Sequence, residues 1–131
     1  MRIAIDTNRY VDFAKGLPEA VERLRRADEI LVPFVVVGEL RAGFAGGARS
    51  EQNEANLVRF LDSRRVDLVF ADEDTTHHYA RVFHQLRRQG TPIPTNDLWI
   101  AAQMLECGAE LLSFDRDFAQ VEGLLWADPS C

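Results

Sequence analysis

Cysteine is scarce in this chain. Cys107 and Cys131 are the two it has, too few for a disulfide framework, and the scarcity suits a reducing cytoplasm. Long apolar runs are missing too. No stretch of about 18 apolar residues occurs, so no membrane-spanning helix is expected. Nothing like a charged-then-apolar leader precedes the first apolar segment, so no signal peptide is expected. Neither G-x-x-x-x-G-K-[ST] nor G-x-G-x-x-G is present, which argues against a nucleotide cofactor. Positive charge is in deficit. The formal net charge is −6, whereas a general nucleic-acid binder carries a basic footprint. Lysine is almost absent: Lys15 is the sole one among 15 basic residues. The arginines, several paired as in Arg25-Arg26, Arg64-Arg65 and Arg87-Arg88, suit planar and phosphate partners. Solvated helix faces and a compositional bias are the simpler account of them, so net charge alone does not settle the partner.

What is present is ordinary for a globular chain. With 131 residues, 47% apolar and 27% charged, residues 1–131 fit one domain with a real core. No internal repeat, low-complexity tract or long linker divides it. Residues 2–5 predict a strand, and Asn8 to Lys15 a short helix stopped by Gly16. Pro18 opens a helix to about Ala27, and "EILV" at 29–32 predicts a second buried strand. Pro33 starts a helix that ends at Gly46-Gly47. Ser50 is expected to cap a helix to about Ser63, before a strand "VDLVF" at 66–70. Asp72 or Asp74 caps a long helix to Gln89, closed by Gly90. Thr95 is expected to cap a helix to Cys107, stopped by Gly108. "ELLSF" at 110–114 reads as a strand, 115–119 as a turn or short helix, and "LLWA" at 124–127 as a last strand. Short apolar strands alternating with helices predict an α/β fold around a mainly parallel sheet of four or five strands, covered on both faces.

Four acids break their local patterns. Asp6 follows "IAI" and Asp115 follows "LLSF", both at strand ends, where open α/β sheets bind ligands. On the 95–107 helix, taken at 100° per residue, Ile100, Ala101, Met104 and Leu105 form a stripe centred on Asp97, leaving Gln103 and Glu106 on a narrow polar side. On the 33–44 helix Glu39 shares a face with Val35, Val36, Ala42 and Gly43. Each acid has an ordinary explanation: a helix cap, a dipole partner, an internal ion pair or a turn. Together those explanations weaken, because all four acids would converge on one edge of the sheet. Clustered carboxylates repel and hold their protons more tightly. A hard divalent cation removes that conflict, and Mg²⁺ takes oxygen ligands beside substrate phosphates. The matching chemistry is metal-assisted phosphodiester hydrolysis.

"IDTN" after the first strand, "GEL" at 38–40, "NDLWIAA" at 96–102 and "LLSFDRDF" at 111–118 occur in the order found in PIN domains. The chain resembles that family over nearly its whole length, and more specifically the small VapC-type ribonuclease toxins of toxin–antitoxin modules. The resemblance implies a three-layer α/β/α sandwich. It makes Asp6, Glu39, Asp97 and Asp115 the catalytic quartet that holds Mg²⁺ or Mn²⁺. It places Thr7, Asn8, Asn96 and Ser113 as supporting polar residues, Ser113 standing where Thr is common. Asp117 becomes a peripheral fifth carboxylate, and Arg116 a candidate phosphate contact. It also implies an RNA substrate, often a structured one such as tRNA, a cognate VapB-type antitoxin, a homodimer and a cytoplasmic location.

Other readings remain in view. A non-catalytic module of this type would lack one or more acids, and none is lost. A haloacid-dehalogenase-like phosphatase wants a second Asp two residues after the first, where Asn8 stands. His77, His78 and His84 do not share the apolar stripe of Tyr79, Val82, Phe83 and Leu86, so surface or packing roles are expected. Cys107 is expected to be a small core residue. Trp99 falls with Gln103 and Glu106, which suggests cover by a second subunit or the antitoxin. Arg9, Arg41, Arg87, Arg88 and Arg116 are candidates for the RNA docking face.

Overall fold

The computed structural model of the chain describes residues 1–128, so Cys131 lies outside the described residues. Five parallel strands, β1 (Arg2–Ile5), β2 (Glu29–Pro33), β3 (Val66–Val69), β4 (Glu110–Leu112) and β5 (Trp126–Ala127), form one sheet in the order β3-β2-β1-β4-β5. The helices are α1 (Thr7–Ala14), α2 (Pro18–Arg26), α3 (Phe34–Ala45), α4 (Ser50–Leu61), α5 (Glu73–Gln89) and α6 (Thr95–Cys107). Arg116–Gln120 form a 3₁₀ turn.

The strands explain the layering. Successive strand residues face opposite sides, yet Ile3, Ala4 and Ile5 are all fully buried, as are Leu111 and Leu112 almost entirely. Both faces of the central strands must therefore be covered, which requires helices on each side. Local signals set the helix ends. Asp6 caps α1 by accepting the Arg9 N–H at 3.0 Å. Asp72 caps α5 in a reciprocal capping box with Thr75. Gly108, at φ 70°, closes α6 in a conformation that side chains disfavour and lets the chain reverse into β4.

Several boundaries differ from the sequence-based expectation. The strands expected over 66–70, 110–114 and 124–127 are shorter. Ser113, just past β4, still donates its N–H to the Ala127 carbonyl at 3.4 Å, and its hydroxyl accepts the Asp115 N–H at 3.0 Å, so the chain turns there. Pro94 and Arg49, not Thr95 and Ser50, occupy the cap positions of α6 and α4, without side-chain caps. Gln103, expected on a polar side, is fully buried, because its amide donates to the Val69 carbonyl at 3.0 Å. On α3 the inward stripe is Val36, Val37 and Leu40, while Ala42 and Gly43 are exposed.

Candidate active site

The strand order creates the site. From β1 the chain steps through β2 to β3, then returns across the sheet to β4 on the other flank of β1. Connections leave β1 and β4 in opposite directions, so a crevice opens beyond their carboxyl ends. Asp6 follows β1 directly, and Ser113 and Asp115 follow β4.

Asp6 is 8% exposed. One of its oxygens accepts the Arg9 N–H, and the other accepts the Ser113 hydroxyl at 2.5 Å. Burial raises its pKa from the ordinary carboxylate value, against those two bonds and the Arg9 charge; Asp115 pushes it further up. Ser113, fully buried, thus ties β1 to the loop beyond β4. Asp115 repeats the capping chemistry by accepting the Asp117 N–H at 2.9 Å.

Asp97 approaches from the N-terminus of α6. A carboxylate oxygen from each of Asp97, Asp115 and Asp117 lies within 4.8 Å of the others. Partial burial, followed by the charges of Asp115, Glu39, Asp117 and Asp6, pushes the Asp97 pKa up to about 6. Glu39, half-buried on α3, accepts the Thr7 hydroxyl at 2.7 Å. The four sequence-predicted acids are therefore near enough to raise one carboxyl's pKa, and Asp117 belongs to the tightest group. Asn8 and Asn96 are exposed and do not bond to the acids. Oxygen donors crowded at this spacing fit a hard divalent cation, which accepts carboxylates and relieves their repulsion.

Arg116 is exposed, pairs with Asp128 at 3.2 Å, and lies over the Trp126 ring. Arg9 does not belong to a docking surface. It is 1% exposed, pairs with Asp12 at 3.2 Å and with both Glu19 oxygens at 3.0 and 3.1 Å, and lies 5.2 Å from the Phe114 ring centre. Arg41 is engaged by Glu54 in a bidentate pair. Trp99 is half-buried, with the Tyr79 ring of α5 against one part of it at 4.4 Å. His77 and His84 are exposed, as expected, and Cys107 is half-buried and free.

The sequence did not reveal two supports of this region. Gln85 of α5 donates to the Gln120 carbonyl at 2.7 Å and accepts the Glu122 N–H at 3.1 Å, which secures the segment after the Asp115–Asp117 loop. Arg9 is the other. A buried guanidinium and a buried amide read as ordinary helix-surface residues until their partners across the fold are known.

A parallel α/β sheet with carboxylates gathered at its switch point defines a nuclease-type acidic centre suited to divalent metal. The chain matches the family model "PIN domain" over residues 3–124. It is 31% identical over 129 residues to Ribonuclease VapC1 of Haemophilus influenzae strain R2866, covering 95% of each chain. Ribonuclease VapC5 of Mycobacterium tuberculosis is 29% identical over 110 residues, covering 79% of this chain and 82% of that one. The structure of VapBC-1 from nontypeable Haemophilus influenzae superposes with a TM-score of 0.88 at 29% identity, covering each chain fully. The chain belongs to the PIN-domain family, in its VapC branch.

Proposed function

We propose that this single-domain chain is a Mg²⁺-dependent endoribonuclease toxin, Mn²⁺ substituting, and that Asp6, Glu39, Asp97 and Asp115 hold the metal. The protein is a VapC-type ribonuclease, and its natural inhibitor is a VapB-type antitoxin. The observation that carries the site assignment is geometric: carboxylate oxygens of Asp97, Asp115 and Asp117 lie within 4.8 Å of one another, and Glu39 and Asp6 stand near enough for their charges to add to the burial that raises the Asp97 pKa. When bound, the cation activates water and stabilises the leaving oxygen.

The chain's own groups do the rest. Ser113 fixes Asp6 and the Asp115 backbone together, so two ligands from neighbouring strands keep their spacing. Thr7 orients Glu39. Asp97 must lose its proton to serve as a ligand, so loading improves above about pH 6. Asp117 extends the acidic group outward, and Arg116 stands beside it as a phosphate contact. Asn8 and Asn96, exposed at the rim, are positioned to meet substrate. In-line hydrolysis leaves a 5′-phosphate and a 3′-hydroxyl.

The substrate is RNA, with structured RNA such as tRNA as the favoured class. A cleft of about 710 Å³ between α1, α3 and α4 is lined by Tyr10, Val11, Leu40 and Phe44, with Thr7 and Glu39 also in its wall. It supports an antitoxin segment that reaches the acids. The VapBC complexes with the same fold support that partner. A homodimer in the cytoplasm completes the reading; no helix among the described residues is long and apolar enough to cross a membrane.

The test is cleavage of total cellular RNA by the antitoxin-free chain with Mg²⁺ or Mn²⁺, beside EDTA and Asp97→Asn. Discrete cuts that vanish with chelator and with the variant support the reading. Absence of cuts from folded, metal-loaded protein would replace it with a binding module.

A further inference from the structure

Phe114 lies between Ser113 and Asp115, at the lip of the acid-lined crevice, and is 47% exposed. A large apolar ring half in water beside a polar site calls for an explanation. The other exposed phenylalanines are engaged elsewhere: Phe34 and Phe70 stack on each other at 6.2 Å beyond β2 and β3, and Phe83 packs on Tyr79 of its own helix. Phe114 instead has the buried Arg9 guanidinium 5.2 Å from its ring centre. That cation is itself anchored by Asp12 and Glu19. Its Nε hydrogen has no hydrogen-bond partner, so the plane is held by its ends and by the ring.

A ring backed in this way is pre-ordered and loses little freedom when something covers its outer face. The backing cation also draws electron density from the ring, which favours stacking with an electron-rich purine. Paired bases are already stacked and cannot splay onto such a face, whereas unpaired bases can. Resting on the ribonuclease reading above, we propose that Phe114 is a stacking platform for an unpaired nucleobase next to the scissile phosphate, with Arg9 as the residue that positions it. The enzyme would then cut single-stranded loops in preference to duplex.

The experiment measures binding of a labelled oligoadenylate, single-stranded or annealed to oligouridylate, to the full chain carrying Asp97→Asn, which the proposed function makes inert. Adding Phe114→Leu should weaken single-strand binding by about 5- to 100-fold. Phe114→Trp should preserve it, and duplex binding should be weak and equal in all three proteins. Manganese affinity, read by electron paramagnetic resonance on the Phe114→Leu chain with Asp97 intact, should match the parent. Equal oligoadenylate affinity in the Leu variant would overturn the proposal. So would a matching loss of manganese affinity, which would mean that the ring positions the acid loop. Parent cleavage of cellular RNA is scored separately, so failure of the ribonuclease reading is distinguishable from failure of the platform.

Discussion

Asp6 and Asp97 are both carboxyls driven towards their protonated forms, and burial is the leading cause in each. Their surroundings differ. Asp6 sits in the β1–β4 seam, with one oxygen bonded to a backbone N–H and the other to Ser113, and Arg9 close enough to oppose the burial. Asp97 stands on the α6 side, where four other acids add repulsion to its partial burial. The seam is satisfied by the protein itself, and the α6 side is left in electrostatic conflict. A fold that completes one half of a site and leaves the other short of positive charge is prepared for a cation.

The sharpest way to break that comparison is Asp97→Asn. It removes a proposed ligand from the crowded side, and RNA cleavage should fall by at least about 100-fold, because even losing a group that supports a ligand costs 10- to 100-fold. The metal-free variant should be no less stable than the parent, since repulsion is relieved; thermal melting in EDTA checks this. On the satisfied side, Ser113→Ala should destabilise the metal-free fold by about 1–3 kcal/mol, because it leaves a buried Asp6 oxygen unbonded. Urea denaturation reads that loss, and an unchanged midpoint would show that the seam does not depend on the hydroxyl.

Thr7→Val frees Glu39 while leaving the Asp97, Asp115 and Asp117 carboxylates in place. Manganese affinity should drop by about 10-fold, with a stability change of no more than about 1 kcal/mol, since the bond is only partly buried. Isothermal titration and melting separate the two effects.

The smallest effect is in pH. Asp97 titrates near 6 when folded and near 3.8 in the unfolded chain. Between these values the native state binds more protons than the unfolded one, so metal-free stability should fall as pH rises from about 4 to 6. Saturating Mg²⁺ or Asp97→Asn should flatten that fall. Melting curves at matched ionic strength would decide it, and a rise over this window in EDTA would contradict a raised Asp97 pKa.

The site was legible in the chain to different depths. Asp6 and Asp115 were readable because a carboxylate directly after a buried apolar run must lie at the sheet's carboxyl edge. Asp97 was readable because it falls among Ile100, Ala101 and Met104 on a helical wheel, all buried in the structure. Glu39 was reached by a less accurate route. The wheel grouped it with Ala42 and Gly43, which are exposed, while the true stripe is Val36, Val37 and Leu40. Its inward tilt comes from Thr7, which no local pattern announces. Trp99 and Gln103 were assigned to a polar side because a helical wheel cannot know that α5 lies against that flank. Contacts of α6 with Tyr79 and with the Val69 carbonyl supply what the wheel lacked.

By itself the sequence determined the alternation of strands and helices, the helix start at Asp72 or Asp74, the helix stops at Gly90 and Gly108, and the expected chemical type of the site. Those follow from short-range sterics, hydrogen bonding and hydrophobic periodicity, which act within a few residues. Tertiary structure decided which flank of β1 receives β4, and hence where the crevice opens. It also turned Arg9 from a surface charge into a buried support for Phe114, and made Asp97 titrate near 6. Burial and charge–charge repulsion depend on distances between segments remote in sequence, and only the folded chain sets those distances.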